Sequence, residues 1–364
     1  MKNWLTLLSI AGLAVAATGN SVADVVADLG LRAAPEPVRT DPRWSPEGPI
    51  VVRVLSPAQL EALQQAAGKA RLIGVTNEAE ALAAATDATA VLGFCSAALL
   101  EAAPKLRWLQ LYSAGAENCV GLPGIRDGKV LLTNLQRVSS PTIAEHVLAM
   151  TLALARGLAP HVAAQATGNW DPSLVPRQGR LEVSGRTMLV VGLGGIGTEV
   201  ARRADALGMQ VIAVRASGRP GPDFVAEVST PDKLLEMAAR ADVVVNSVPL
   251  TAATEGLFDQ AVFNAMPPRA YFINVGRGRS VDTDALVAAL RNKSIAGAGL
   301  DVTEPEPLPA DHPLWALPNV IITPHVAAQS DRIVGRVFAV VEENLRRYVA
   351  GEPMLSVVDP EAGY

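Results

Sequence analysis

Cysteine is scarce in this chain of 364 residues: Cys95 and Cys119 are the only two. Neither has the spacing of a metal-ligand set, so the expectation is two free, partly buried thiols and no metal site. Histidine is nearly as rare, with four in all, so each is weighed by its position. No long basic run is present, and a net charge of −5 offers no electrostatic footprint for nucleic acid. No repeat of solenoid type is found. Charged residues are 18% and apolar residues 49%, which argues against a disordered chain. The length allows two domains with separate cores. Past residue 23, no apolar run is long enough to span a bilayer.

The exception stands at the start. Lys2 precedes an apolar stretch from Trp4 to Ala17, followed by Thr18-Gly19-Asn20 and Ser21-Val22-Ala23. A charged start, an apolar centre and a small-residue site are the parts of a secretory signal peptide, and cleavage is expected after Ala23. The stretch is short for a membrane span, and no twin arginine precedes it. Residues 1–23 therefore read as a signal-peptide-like segment implying export to the periplasm, or a cytoplasmic location if the segment is not cleaved. Residues 24–49, with the proline- and charge-rich stretch from Ala33 to Pro49, read as a linker or N-terminal arm.

From residue 50 onward strand-like and helix-like pieces alternate. Strands are expected near 50–54, 72–75, 90–94, 106–111 and 130–133, with a helix from Ser56-Pro57 to about Ala67. Pro141 to Arg156 reads as a long helix whose stripe is Ile143, Val147, Met150 and Leu154. A second unit begins at Arg186, with strands near 187–191, 210–214, 242–246, 270–274, 296–300 and 319–322. Such alternation implies parallel sheets covered on both faces. The fold class expected is α/β, with two Rossmann-like parallel-sheet domains. A substrate domain covers 50–140 and a dinucleotide-binding domain 141–328. A C-terminal helix, within 329–354, returns to the first domain and makes it discontinuous.

The second unit opens on its most informative motif. The apolar run Thr187–Val191 enters Gly192-Leu193-Gly194-Gly195-Ile196-Gly197, and a helix-like stretch follows. In such a G-x-G-x-x-G turn one glycine makes the tight turn, one lets backbone approach a pyrophosphate, and one lets helix pack on strand. The new helix N-terminus points unpaired N–H groups at the phosphate. An acid roughly 20 residues on usually binds the ribose 2′-hydroxyl. Here the second strand ends instead on Arg215-Ala216-Ser217-Gly218-Arg219. Arg215, Ser217 and Arg219 together suit a 2′-phosphate, which favours NADP(H) over NAD(H).

Three late strand ends carry candidate chemistry: Gly276-Arg277-Gly278, the loop Asp301 to Pro307 with Glu306, and Thr323-Pro324-His325. Ligands sit beyond the carboxyl ends of strands in an open parallel sheet. An arginine fork holds a carboxylate, and hydride addition to a ketone needs an acid, which histidine supplies near neutral pH. A carboxylate beside that histidine favours its protonated form. Singly, each has a plainer reading as a solvated charge or a cap; the ordered set behind a dinucleotide turn is the stronger sign. His146, His161 and His312 are read as structural. Tyr112 and Trp315 are candidates for lining the substrate pocket, with core packing the favoured reading.

These stretches, with Asp311-His312-Pro313-Leu314-Trp315 and Pro318-Asn319-Val320, resemble the D-isomer-specific 2-hydroxyacid dehydrogenase family over roughly residues 70–350. The resemblance implies a catalytic Arg277, Glu306 and His325. It implies that Asp301 contacts the nicotinamide carboxamide, and that Gly192, Gly194, Gly195, Ile196, Gly197, Pro249, Thr254 and Val275 line the cofactor. It also implies that the Ser113–Ala116 loop, through Ala114 and Gly115, offers N–H groups to the carboxylate of a small 2-oxo or 2-hydroxy acid. Family members are usually homodimers with the helix after Pro141 in the interface, although its stripe fits an internal core equally well. Arg215 stands where the family's NAD-binding aspartate usually stands, as in members similar to NADPH-dependent glyoxylate and hydroxypyruvate reductases. The same fold includes dinucleotide-sensing proteins without turnover, which is the alternative reading.

Overall fold

The computed structural model describes residues 21–175 and 180–363. Residues 1–20 of the expected signal segment lie outside that range, as do 176–179 of the polar loop that follows Trp170. The chain divides into two compact units: residues up to 138 together with those from 331 onward, and Ser139–Ser330.

The first unit begins with α1 (Val22–Asp28), whose Ser21 and Asp24 form a reciprocal capping box. This helix runs through Ala23, the expected cleavage point. Strands β1 (Ile50–Arg53), β2 (Leu72–Val75), β3 (Ala90–Leu92), β4 (Trp108–Gln110) and β5 (Leu131–Thr133) form one parallel sheet in the order 2-1-3-4-5. Helices α2 (Pro57–Ala67), α3 (Glu78–Ala84) and α4 (Ala97–Ala102) alternate with them. Each is started by a side chain, Ser56, Asn77 or Ser96, that accepts from the backbone N–H three residues on. Successive strand residues face opposite sides, so the sheet has two cores. Val51, Val91 and Leu109 pack with Leu99 on one side, and Ile50, Val52, Leu92 and Trp108 pack with α11 (Ile333–Ala350) on the other. A buried polar chain ties α11 in. Asn344 donates to Gln110 Oε1 at 2.8 Å and accepts from Leu355 N at 2.8 Å.

The expectation of free thiols is corrected here. Cys95, after β3, and Cys119, after β4, form a disulfide with Cα atoms 6.3 Å apart. They lie 24 residues apart in sequence, so no short spacing marks the pair. Parallel pairing of β3 with β4 sets their outgoing loops side by side.

In the second unit α5 (Ser140–Arg156) and α6 (Leu158–Gln165) precede the sheet. Strands β6 (Thr187–Val191), β7 (Gln210–Val214), β8 (Glu227–Ser229), β9 (Val243–Asn246), β10 (Tyr271–Asn274), β11 (Gly297–Leu300) and β12 (Val320–Ile322) are all parallel. Their order, 12-11-10-9-6-7-8, reverses between β6 and β9. Six strands are expected from the sequence and seven are present. The extra one, β8, is a half-buried edge of three residues with a single apolar side chain, too short for a periodic signal. Helices α7 (Gly195–Ala206), α8 (Leu234–Ala238), α9 (Gln260–Ala265) and α10 (Thr283–Arg291) cover the sheet. Of the α5 stripe, Val147 and Met150 are buried, with Ala144 beside them, in the core that also holds Val190, Val200 and Ile273, and Ile143 and Leu154 pack against it partly buried.

Candidate active site

The glycine turn joins β6 to α7 at the strand-order reversal. Gly192 has φ +95°, and a Cβ there would come within 2.9 Å of the Ser247 carbonyl. A Cβ at Gly197 would overlap the Gly192 carbonyl oxygen, so only glycine lets α7 start so close to β6. Gly194 caps α7, and its missing Cβ faces open space. The first-turn N–H groups of this helix have no partner within the helix itself. Gly195 opens α7, and Ile196 anchors it on the core. Ser247 Oγ donates to the Gly192 carbonyl at 2.9 Å and ties the loop after β9 to the turn. That loop is shaped by Thr254, whose hydroxyl donates to the Pro249 carbonyl at 2.6 Å.

Two strands of the same sheet carry the other candidate contacts. At the end of β7, Arg215 N donates to Ser229 O at 3.0 Å. Arg219 Nε donates to Ser217 Oγ at 3.2 Å on an exposed turn, with no acid between 215 and 219. Val275, after β10, is buried and donates to Asn246 O at 3.1 Å. An open glycine turn on a helix N-terminus, with a basic strand end beside it, fits a dinucleotide carrying a 2′-phosphate.

Glu306 and His325 are brought together. His325 Nδ1 lies 2.7 Å from Glu306 Oε1, with both side chains partly exposed. His325 has φ +54°, rare for a residue with a Cβ, and its N–H donates to Asp301 O at 2.8 Å. Asp301, only 4% exposed, accepts from Thr323 Oγ1 at 2.6 Å, Val326 N at 2.9 Å and Ala327 N at 3.1 Å. It thus grips both sides of His325. His146 Nε2 lies 2.9 Å from Thr323 Oγ1. That hydroxyl has one proton and gives it to Asp301, so His146 Nε2 is the donor in this contact. The structural role expected for His146 is thereby specific: it supports the strand end that carries His325.

Arg277 sits on a turn held from beneath. Ser280 Oγ donates to the Arg277 carbonyl at 2.6 Å. Asn246 Nδ2 donates to Ser280 Oγ at 2.7 Å and to Asn274 Oδ1 at 2.9 Å. Asn246, Asn274 and Ser280 are all buried. A Cβ at Gly278 would overlap the Thr303 carbonyl oxygen, so the Arg277 turn packs directly on the loop leading to Glu306. Thr283 Oγ1 also donates to Glu304 O, at 3.0 Å. Of these supporting residues the sequence marks only Asn274, within the run that leads to Arg277; the one signal of Asn246, Ser247 and Ser280 is polar residues at or after the ends of apolar strands.

In the first unit, Asn134 Nδ2 donates to Ala114 O at 2.7 Å and Ser113 Oγ to Gly115 O at 2.9 Å. The expected carboxylate loop therefore has a defined shape.

Residues 148–327 match the family model for the NAD-binding domain of D-isomer specific 2-hydroxyacid dehydrogenases. A glyoxylate/hydroxypyruvate reductase B of Klebsiella pneumoniae is 36% identical over 290 residues, 79% of this chain and 88% of its own length. A D-isomer specific 2-hydroxyacid dehydrogenase family protein of Aeromonas salmonicida superposes with a TM-score of 0.74 at 32% identity, covering 87% of this chain and all of its own. A Sinorhizobium meliloti NADPH-dependent glyoxylate/hydroxypyruvate reductase, solved with NADP and sulfate, gives a TM-score of 0.74 at 29% identity, again covering 87% of this chain and all of its own. This chain belongs to the D-isomer specific 2-hydroxyacid dehydrogenase family of NAD(P)-dependent oxidoreductases.

Proposed function

We propose that this protein reduces small 2-oxo acids of the glyoxylate and hydroxypyruvate type with NADPH, giving the D-isomer where C2 becomes a stereocentre. The observation that carries the reading is the 2.7 Å pair of His325 and Glu306 on the same sheet as the open glycine turn. The Gly192–Gly197 turn and the Arg215–Arg219 strand end would hold the cofactor, which supplies a hydride from its nicotinamide when bound. Arg277 would pair with the substrate carboxylate through its planar fork. Since Nδ1 of His325 is engaged by Glu306, Nε2 is the nitrogen that would give its proton to the C2 oxygen of the substrate. Glu306 fixes the ring's orientation and balances the imidazolium's charge.

The test is turnover of glyoxylate and hydroxypyruvate with NADPH and with NADH. His325→Gln is expected to lower kcat by about 10²–10⁴-fold with NADPH affinity retained. Full activity in that variant would sink the mechanism. NADPH binding without turnover of any 2-oxo acid by the unaltered protein would favour the sensing alternative.

We propose further that the protein is a homodimer and is exported. Leu158 and Val162 on α6 and Trp170 beyond it are exposed apolar side chains, which supports a homodimer burying this surface; sedimentation would measure it. The disulfide supports export, because such bonds persist in oxidising compartments. N-terminal sequencing of the native protein, with Asp24 as the expected first residue, tests that.

A further inference from the structure

The loop that bears His325 follows β12, a half-buried strand at the edge of its sheet whose three residues pair with β11. Of residues 323–330, only Ala327 is buried. His325 itself stands at φ +54°. A strained residue on a lightly packed loop keeps its conformation only where surrounding groups impose it.

Those groups converge on Asp301. Its carboxylate accepts from Thr323 Oγ1, Val326 N and Ala327 N, and its carbonyl accepts from His325 N. The Thr323 bond, at 2.6 Å, is the shortest of the four. A hydroxyl proton rotates to suit its neighbours, so another group must aim it. His146 does so from α5. Its Nε2, 2.9 Å from Thr323 Oγ1, occupies the acceptor side of the hydroxyl and leaves the proton to Asp301. Hydrogen bonds linked in this way polarise and strengthen one another. The adjoining Val147 is fully buried in the core of the same unit, which gives the imidazole a fixed base. One turn earlier on the same helix face, Thr142 Oγ1 reaches Ser330 Oγ at 3.5 Å. Helix α5 therefore holds the loop at both ends, at Thr323 and at Ser330.

We propose that His146 and Thr323 are positioning residues for the reaction: acting through Asp301, they fix the aim of the His325 imidazole. This rests on the proposed reductase reading, in which His325 gives the proton. Breaking the chain should slow proton transfer and leave the binding of both ligands in place, because Arg277 and the glycine turn stand on other strands.

The test uses the full chain with glyoxylate and saturating NADPH. His146→Phe removes the donor and keeps a ring. Thr323→Val removes the hydroxyl and keeps the shape. Each is expected to lower kcat by about 10–10²-fold, the scale of a slightly misplaced catalytic group. The glyoxylate KM and the NADPH dissociation constant should stay within about threefold, a small change in binding. Thr323→Ser, which keeps the hydroxyl, should recover most of the kcat lost in Thr323→Val. The double variant should lose no more than the slower single variant, since one break already opens the chain. A lowered unfolding stability with kcat intact in His146→Phe overturns the proposal, because that is the mark of a merely structural role. Losses that multiply in the double variant also overturn it. If His146→Phe does not fold, Thr323→Val and Thr323→Ser decide: equal kcat in the two overturns the proposal. In each of these cases turnover by the unaltered protein keeps the reductase reading. No turnover of any 2-oxo acid by the unaltered protein overturns both.

Discussion

His325 holds its imidazole on a backbone at φ +54°, a conformation that costs about 1–3 kcal/mol in a residue with a Cβ. Asp301 offsets this by accepting from the N–H groups of residues 326 and 327 while its carbonyl accepts from His325 N. The sequence shows each of these residues at a strand end. It does not show that a buried aspartate shapes the loop bearing the histidine. Arg215 is the reverse case, visible as a basic residue in a position where an acid is expected. Arg215→Asp should weaken NADPH binding at least about tenfold and shift relative affinity toward NADH. Fluorescence titration with the two cofactors measures this; an unchanged affinity ratio would remove the 2′-phosphate reading.

Elements rather than single side chains decide where Arg277 stands. Its turn after β10 is pressed on the Asp301–Glu306 loop through Gly278, with no space for a Cβ against the Thr303 carbonyl. Gly278→Ala should therefore force the two loops apart, at a cost of about 1–3 kcal/mol. Denaturant unfolding reads that cost, and kcat/KM should fall with it because Arg277 moves. Wild-type stability would mean the loops separate without cost. At this scale the sequence was legible wherever a pattern was long: β6, α7 and β7 are all marked by apolar runs around the glycine turn. It failed for β8, with three residues at a half-buried edge, and for α6, where Gly157 at φ +61° ends one helix and directly starts another.

At the scale of the whole molecule, the Cys95–Cys119 bond cross-links the loops after β3 and β4. Closing a loop of this length removes entropy from the unfolded chain worth about 3.5 kcal/mol. Thermal unfolding with and without a dithiol reductant should differ accordingly, and the double variant Cys95→Ser, Cys119→Ser should match the reduced protein. Identical melting in all three would deny the bond a stabilising role. By itself the sequence determined the α/β class, the dinucleotide turn and the order Arg277, Glu306, His325 along the chain. Those features are written locally, in strand–turn–helix patterns and in residues at strand ends. Only the tertiary structure decided that Glu306 lies 2.7 Å from His325, that Asn246, Asn274 and Ser280 support Arg277, and that the two cysteines pair. Each depends on which strand lies beside which, and sheet order is set by packing between residues far apart in the chain.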